Sequence, residues 1–333
     1  MAIDENDFSA LKSQVGGHPG VQNSSDGSLI AKPCLHPELE FYQEIASNPS
    51  LAHFKRFVPK FYGTLKLHGK IETPAGGEVD PGHLNIVPSI VLENISHTFL
   101  KPAILDVKLG TVLAEETASD EKKARMDRTA RETTSHETGV RLTGFQVYNH
   151  DKQDYDVIDK KYGKSIKPDD LPDGMAKFLP VATIDDDGAV HGQGLPTPLL
   201  VRVIDGLISR MRKIERAFHG LEFRMVGGSA LIVYESDVDA LEKSFISYLS
   251  EEEEEGYVSD DESDEDETPE EGEEPVEKPS KQADPKPYVI KMIDFAHTHL
   301  TPGRGRDEGV MLGIKTTISL LEGRKAQLLD AEK

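Results

Sequence analysis

Apolar residues recur along this chain with two different periods, and the changes between them mark its elements. Over 198–218, Leu199, Leu200, Val203, Ile204, Leu207, Met211 and Ile214 repeat at spacings of three and four, which predicts an amphipathic helix with one buried stripe. The same spacing carries Leu39, Tyr42, Ile45 and Ala46 through 37–47. Glu38 and Glu40 stand early in that run, where a helix dipole favours carboxylates. A last helix is predicted from about 309 to 329. Shorter apolar runs at 28–32, 57–72, 84–94, 102–110, 140–149 and 288–295 predict strands. The segments 223–226 and 230–234 flank Gly227-Gly228 and predict a hairpin. A glycine-rich turn at 14–20, followed by 28–32, predicts a strand–turn–strand unit behind a flexible leader at 1–13. No repeat of 20–50 residues is present.

Charge changes the picture in two places. The chain has 333 residues and a formal charge of −22, but 251–274 alone holds sixteen Asp and Glu and no Lys or Arg, leaving −6 elsewhere. The stretch 251–287 has too little apolar surface to offset its chain entropy, so it is expected to be a disordered insertion, with an apolar strand and a helix after it. Ser259 and Ser263 within it suit kinases that prefer acidic surroundings. The opposite sign appears over 119–133, where Lys122, Lys123, Arg125, Arg128 and Arg131 recur at helical spacing and form a basic stripe. No chain-wide basic field exists, which argues against direct nucleic-acid binding. A single Cys, Cys34, excludes an intramolecular disulfide and a Cys-ligated zinc site. No apolar run approaches 18 residues and the N-terminus lacks an apolar core segment, so neither a membrane span nor a signal peptide is expected.

Three constellations hold candidate chemistry. Asp106 and Lys108 stand two apart in the apolar run 102–110 and so share one strand face, where they are costly unless paired or engaged by a ligand. An edge-strand ion pair is the plain alternative. Asp294 ends the apolar run 288–293 and enters a loop, a position for a metal-binding carboxylate or for a simple turn cap. His297 and His299 follow, without further ligands that would make a zinc site. Finally, the glycine-rich turn precedes Lys32, with Glu38 or Glu40 on the next helix. Kinases use that logic: a glycine hairpin over phosphates, a strand Lys on them and a helix Glu orienting the Lys.

The order of these features is that of a two-lobed kinase, and the motifs make the resemblance specific. Pro102, Asp106, Lys108 and Gly110 reproduce the Pro-x-x-x-Asp-x-Lys-x-Gly signature of the inositol polyphosphate kinase family, and Ile293-Asp294-Phe295-Ala296-His297-Thr298 resembles its second signature. The similarity extends to Leu39-Glu40-Phe41-Tyr42, Leu92-Glu93-Asn94-Ile95, the strand at 139–148, Asp307-Glu308-Gly309 and Ser319-Leu320-Leu321. The acidic run ahead of the second signature is most like the family's fungal multikinase branch.

The resemblance implies an α+β, two-lobed, protein-kinase-like fold, with an ATP-binding N-lobe over 14–97 and a catalytic, inositide-binding C-lobe over 98–333. Lys32 would hold ATP phosphates and Glu38 would pair with it. The main chain of Glu93, Asn94 and Ile95 would recognise adenine, and Asp106 the ribose. Lys108 would be the catalytic lysine and Asp294 the ligand of Mg2+. Lys122, Arg125, Arg128, Arg131, Lys160 and His297 would surround the substrate. The implied reaction is ATP-dependent phosphorylation of inositol 1,4,5-trisphosphate and tetrakisphosphates by a monomer in nucleus and cytoplasm. Residues 251–277 offer basic transcription or chromatin proteins a docking segment. An inositol hexakisphosphate kinase, or a mainly non-catalytic acidic interaction protein, are the alternatives.

Overall fold

The structure is a computed structural model that describes residues 8–10, 20–65, 89–255, 286–331 and 333. Its N-terminal part is an antiparallel sheet of β1 (Phe8–Ala10), β2 (Gln22–Ser24), β3 (Leu29–Pro33), β4 (Phe61–Leu65) and β5 (Ser89–Glu93), in the order β1-β2-β3-β5-β4. Helix α1 (His36–Ser47) and the short α2 (Ala52–Lys55) lie between β3 and β4. Pro37 near the start of α1 lacks only a donor that the first turn leaves unused anyway.

The C-terminal part is built on a second antiparallel sheet. Its strands are β6 (Pro102–Leu109), β7 (Val140–Asn149), β8 (Asp154–Ile158), β12 (Ser229–Glu235) and β13 (Tyr288–Ile293), ordered β13-β12-β6-β7-β8. Strand β6 is therefore central, not the edge strand of the ion-pair alternative. Its alternation sorts the chemistry. Ala103, Leu105, Val107 and Leu109 are fully buried on one face, while Ile104, Asp106 and Lys108 take the other.

The apolar face is covered by α7 (Thr197–His219) and α9 (Glu308–Ala331), which pack on each other. Leu200, Val203, Ile204, Leu207, Met211 and Ile214 of α7 meet Val310, Ile314 and Leu321 of α9 in the same core. The close seating of α9 needs two glycines: a Cβ on Gly139 would lie 2.6 Å from the Gly313 backbone N. Gly139 also ends α4 (Ser135–Thr138) at a φ of +67°, a left-handed conformation that glycine adopts freely.

An aromatic cluster ties the two parts together. Phe41 of α1 lies 5.0 Å from Phe295, and Phe54 of α2 lies 5.1 Å from Phe218 of α7, ring centre to ring centre. This packing fixes α1 against the chain that follows β13.

Several sequence expectations change. The segments 223–226 and 230–234 do not form a hairpin. Instead β11 (Phe223–Met225) pairs with β14 (Thr298–Leu300), while β12 inserts between β6 and β13. Each strand finds a partner distant in sequence, and the two glycines join separate sheets. Phe8–Ala10, expected in a flexible leader, pairs with β2. Of the strand expected over 57–72 the described part is β4 alone, with 57–60 turn and loop before it, and of that over 84–94 it is β5, while 66–88 lie outside the described residues. Of the expected insertion, 251–255 complete helix α8 (Val238–Glu255) and 286–287 lead into β13, while 256–285 lie outside the described residues. The glycine-rich turn does too, except for Gly20.

Candidate active site

The polar face of β6 meets the end of β13 and the Lys of β3. Lys32 Nζ donates to Glu38 Oε1 at 2.7 Å and to Asp294 Oδ1 at 2.5 Å, so a residue from each of β3, α1 and the chain after β13 converges on one buried ammonium. Burial works against the charge on Lys32. Asp294 and Glu38 outweigh it and hold its pKa above the ordinary value. Glu38, at 2% side-chain exposure, is thereby selected over Glu40, which is exposed and faces His36 on the helix surface. Asp294 has a φ of +66°, in the left-handed region that Asp tolerates better than most residues and that aims its carboxylate back at Lys32.

Asp106 is buried with its Oδ1 unpartnered. Burial first, and the neighbouring Asp294 second, push its pKa up to about 6, while Ser229, Lys108 and Arg141 act the other way. Lys108 Nζ donates to the Gly227 carbonyl at 2.6 Å, and burial lowers its pKa. Gly227 presents that carbonyl from a φ of +80°.

These carboxylates fit a hard divalent cation. Asp106 and Asp294 repel each other, and one carboxylate oxygen is buried without a donor, so a cation between them would relieve both penalties. Among the described residues no group of three or more His, Cys, Asp or Glu could cage a metal alone.

Beside the carboxylates lies a small apolar cluster separate from the main core, formed by Phe99, Val233 and Val289 with the partly exposed Ile95, Ile104 and Leu231. It abuts the crossing between the two parts. There Glu93 N–H donates to Lys60 O and Asn94 N–H to Ser28 O, both at 2.9 Å. Of the three residues expected to read adenine, only Ile95 keeps its N–H without a partner among the described residues. The Asn94 side chain serves the fold, donating to Gly27 O and accepting from Ser96.

The family model described as inositol polyphosphate kinase matches residues 89–322, more than two-thirds of the chain. The chain belongs to the inositol polyphosphate kinase family. Inositol polyphosphate multikinase of Saccharomyces cerevisiae is 27% identical over 361 residues, an alignment spanning 95% of this chain and 98% of that relative. The crystal structure of the S. cerevisiae multikinase Ipk2 in complex with ADP and Mn2+ superposes with a TM-score of 0.61 at 25% identity, covering 89% of this chain and 98% of that one. Mouse inositol hexakisphosphate kinase 3 is 27% identical over 70% of this chain, but the alignment reaches only 50% of its length. The chain is a kinase with the two-lobed fold of this family.

Within that fold the expected substrate residues scatter more than the catalytic ones. Helix α3 (Asp120–Glu132), capped by Ser119, forms as the basic stripe predicted. Lys122 is half-buried and Arg125, Arg128 and Arg131 are exposed. Arg131 is held by Asp127 at 2.9 Å, whereas Lys122, Arg125 and Arg128 have no ion pair among the described residues. Lys160 is exposed at the start of α5 (Lys160–Ser165). The His297 ring Nδ1 lies against the Glu115 carboxylate, a partner the sequence did not suggest. None of these six hydrogen-bonds or forms an ion pair with Lys32, Asp106, Lys108 or Asp294 among the described residues. Arg141 and Ser229 are the additions that the structure makes to the site. Both are polar positions in apolar strands, and only strand pairing reveals that they flank Lys108.

Proposed function

We propose that this chain is an ATP-dependent inositol polyphosphate multikinase, transferring the γ-phosphate to hydroxyls of inositol tris- and tetrakisphosphates. The observation that carries the reading is the convergence of Lys32, Glu38, Asp106, Lys108 and Asp294 in one buried cluster on the polar face of β6. Coverage of nearly the whole yeast multikinase, against half of a hexakisphosphate kinase, favours the multikinase branch.

In this reading the apolar cluster around Ile104 and Leu231 receives adenine and the Ile95 N–H fixes it, while Asp106 meets the ribose. Lys32, oriented by Glu38, holds the nucleotide phosphates. Lys108 lies two residues beyond Asp106, about 7 Å further along the strand, and stabilises charge on the transferred group beside the acceptor hydroxyl. Asp294, with Asp106 near it, would hold Mg2+, which supplies neutralisation of phosphate charge when bound. The protein's part is placement and electrostatics, and no carboxylate base is required. Lys160 and the α3 stripe supply cations to the outer phosphates of the substrate, and His297 lies close to it.

The test is a product profile with Mg-ATP and inositol 1,4,5-trisphosphate, resolved by anion exchange, with Lys108→Ala as control. Successive tetrakis- and pentakisphosphates are expected, and Lys108→Ala should lower turnover at least about 100-fold with its fold intact. Consumption of hexakisphosphate without turnover of the trisphosphate would move the chain to the pyrophosphate-forming branch. We further propose that the protein acts as a monomer in nucleus and cytoplasm, and that 251–277 captures basic transcription or chromatin proteins. The acidity of that segment supports the capture, and its deletion should abolish it.

A further inference from the structure

Strand β7 lies beside β6 with Lys108 directly opposite Arg141. Residues directly opposite on antiparallel strands have Cβ atoms only about 5 Å apart, and like charges in that relation repel. The register slips by one residue between Asp106 and Val107, setting Asp106 opposite Gly144 and leaving Thr143 as the extra residue of a bulge. Arg141 and Lys108 therefore share the polar face with Asp106. Gly144 puts no side chain against the Asp106 carboxylate.

Neither cation hydrogen-bonds to a carboxylate among the described residues. Lys108 Nζ donates only to the Gly227 carbonyl, and Arg141 makes no ion pair among the described residues. Arg141 Nη1 is buried without an acceptor, and so is the hydroxyl of Thr143 in the bulge. Asp106 attracts both cations, but no hydrogen bond joins it to either among the described residues. A fold does not keep two facing, half-buried cations and an orphaned guanidinium N–H for stability, because each costs free energy in the ligand-free protein. Such a pair becomes favourable when an anion bridges it, since a phosphate accepts from a guanidinium and an ammonium together.

We propose that Arg141 is a substrate-binding residue, forming with Lys108 a cross-strand clamp that takes one phosphate group of the acceptor next to its reacting hydroxyl. The clamp rests on the inositol polyphosphate reading for the identity of the anion, but not for its existence. It sets specificity as well as affinity. A hydroxyl presented to the transferred phosphate must have a phosphate neighbour that reaches Arg141, so acceptors lacking that neighbour are poor substrates.

The test uses the full chain, Arg141→Met and Arg141→Lys. Ligand-free melting, melting with inositol 1,4,5-trisphosphate or inorganic pyrophosphate, and steady-state kinetics are measured for each. Arg141→Met should melt at or above wild type without ligand, because a facing like charge has gone. It should lose most of the upward shift caused by either anion. KM for the trisphosphate should rise about 10- to 100-fold, with KM for ATP within about twofold. Arg141→Lys should recover part of the shift. An unchanged trisphosphate KM in Arg141→Met would overturn the proposal. So would ligand-free melting of both variants well below wild type, which would make Arg141 a structural residue. If wild type phosphorylates no inositol phosphate, the functional reading fails, and pyrophosphate then decides the clamp alone: a shift present in wild type and absent from Arg141→Met upholds it, and equal shifts overturn it.

Discussion

At the scale of single residues, the centre of this protein is an ammonium shared by two carboxylates. Lys32 is held by Glu38 and Asp294, with side-chain exposures of 10%, 2% and 15%. Removing one member of a buried charged group leaves the others desolvated and unpaired, which costs more than the group contributes net. Lys32→Met is therefore expected to lower unfolding free energy by about 3 kcal/mol, read from urea titration. The double variant Lys32→Met/Glu38→Gln should regain part of it, since the neutral amide no longer needs a cation. Both should be inactive, so stability and activity separate in the double variant. The sequence supplied Lys32 and Asp294 from their positions beside apolar strands. It left Glu38 and Glu40 open, because helix phase relative to a distant strand is not written in local spacing. Arg141 was invisible for a related reason: its meaning lies in what stands opposite.

At the scale of elements, the β7–β8 turn shows how local contacts hold a connection in place. Asp156 on β8 accepts from Asn149 at 2.7 Å and from Lys152 at 2.5 Å, and also from Gln193, so it closes the β7–β8 turn against a neighbouring loop. The hydrogen bond from Lys152, then those from Asn149 and Gln193, hold its pKa down to about 2, from an ordinary 3.8. A depressed carboxylate contributes stability above its unfolded pKa and loses it as pH falls through the folded one. Wild type should therefore exceed Asp156→Asn in stability at pH 6, with the difference shrinking between about pH 4 and pH 2. Acid unfolding followed by circular dichroism reads this, and a pH-independent difference would refute the assignment. Helix α9 gives a second test. Its Gly313 faces Gly139 so closely that a Cβ would run into the Gly139 carbonyl. Gly313→Ala should cost about 1–3 kcal/mol by overpacking, although alanine is the better helix former. A stabilised variant in thermal melts would show that the helix seats less tightly.

At the scale of the whole molecule, charge and catalysis are segregated. Every residue of the central cluster lies outside the acidic run, and the family match spans that run from one side to the other. Removing 256–285 should leave kcat and both KM values within about twofold at moderate salt, where the Debye length of about 10 Å screens exposed charge. At low salt the deletion should lower KM for polyanionic acceptors, because a repulsive field has been removed. Kinetics at two ionic strengths check both statements, and loss of turnover in the deletion would give the segment a part in the fold.

The sequence by itself determined the elements whose signals are local. The α7 stripe, the α1 spacing, the basic α3 and the apolar run of β6 were all legible, because helical and strand periods follow from the backbone of each segment alone. The signature motifs fixed Asp106, Lys108 and Asp294 as candidates for the same reason. Tertiary structure decided what each of these faces. It placed β6 in the centre of its sheet, took the strands around Gly227-Gly228 into different sheets, drew Phe8–Ala10 into pairing and chose Glu38 for Lys32. It also engaged the Asn94 N–H and set Arg141 against Lys108. Strand pairing joins residues tens to hundreds of positions apart, and its register depends on which apolar face the rest of the chain covers. No window of sequence contains that information.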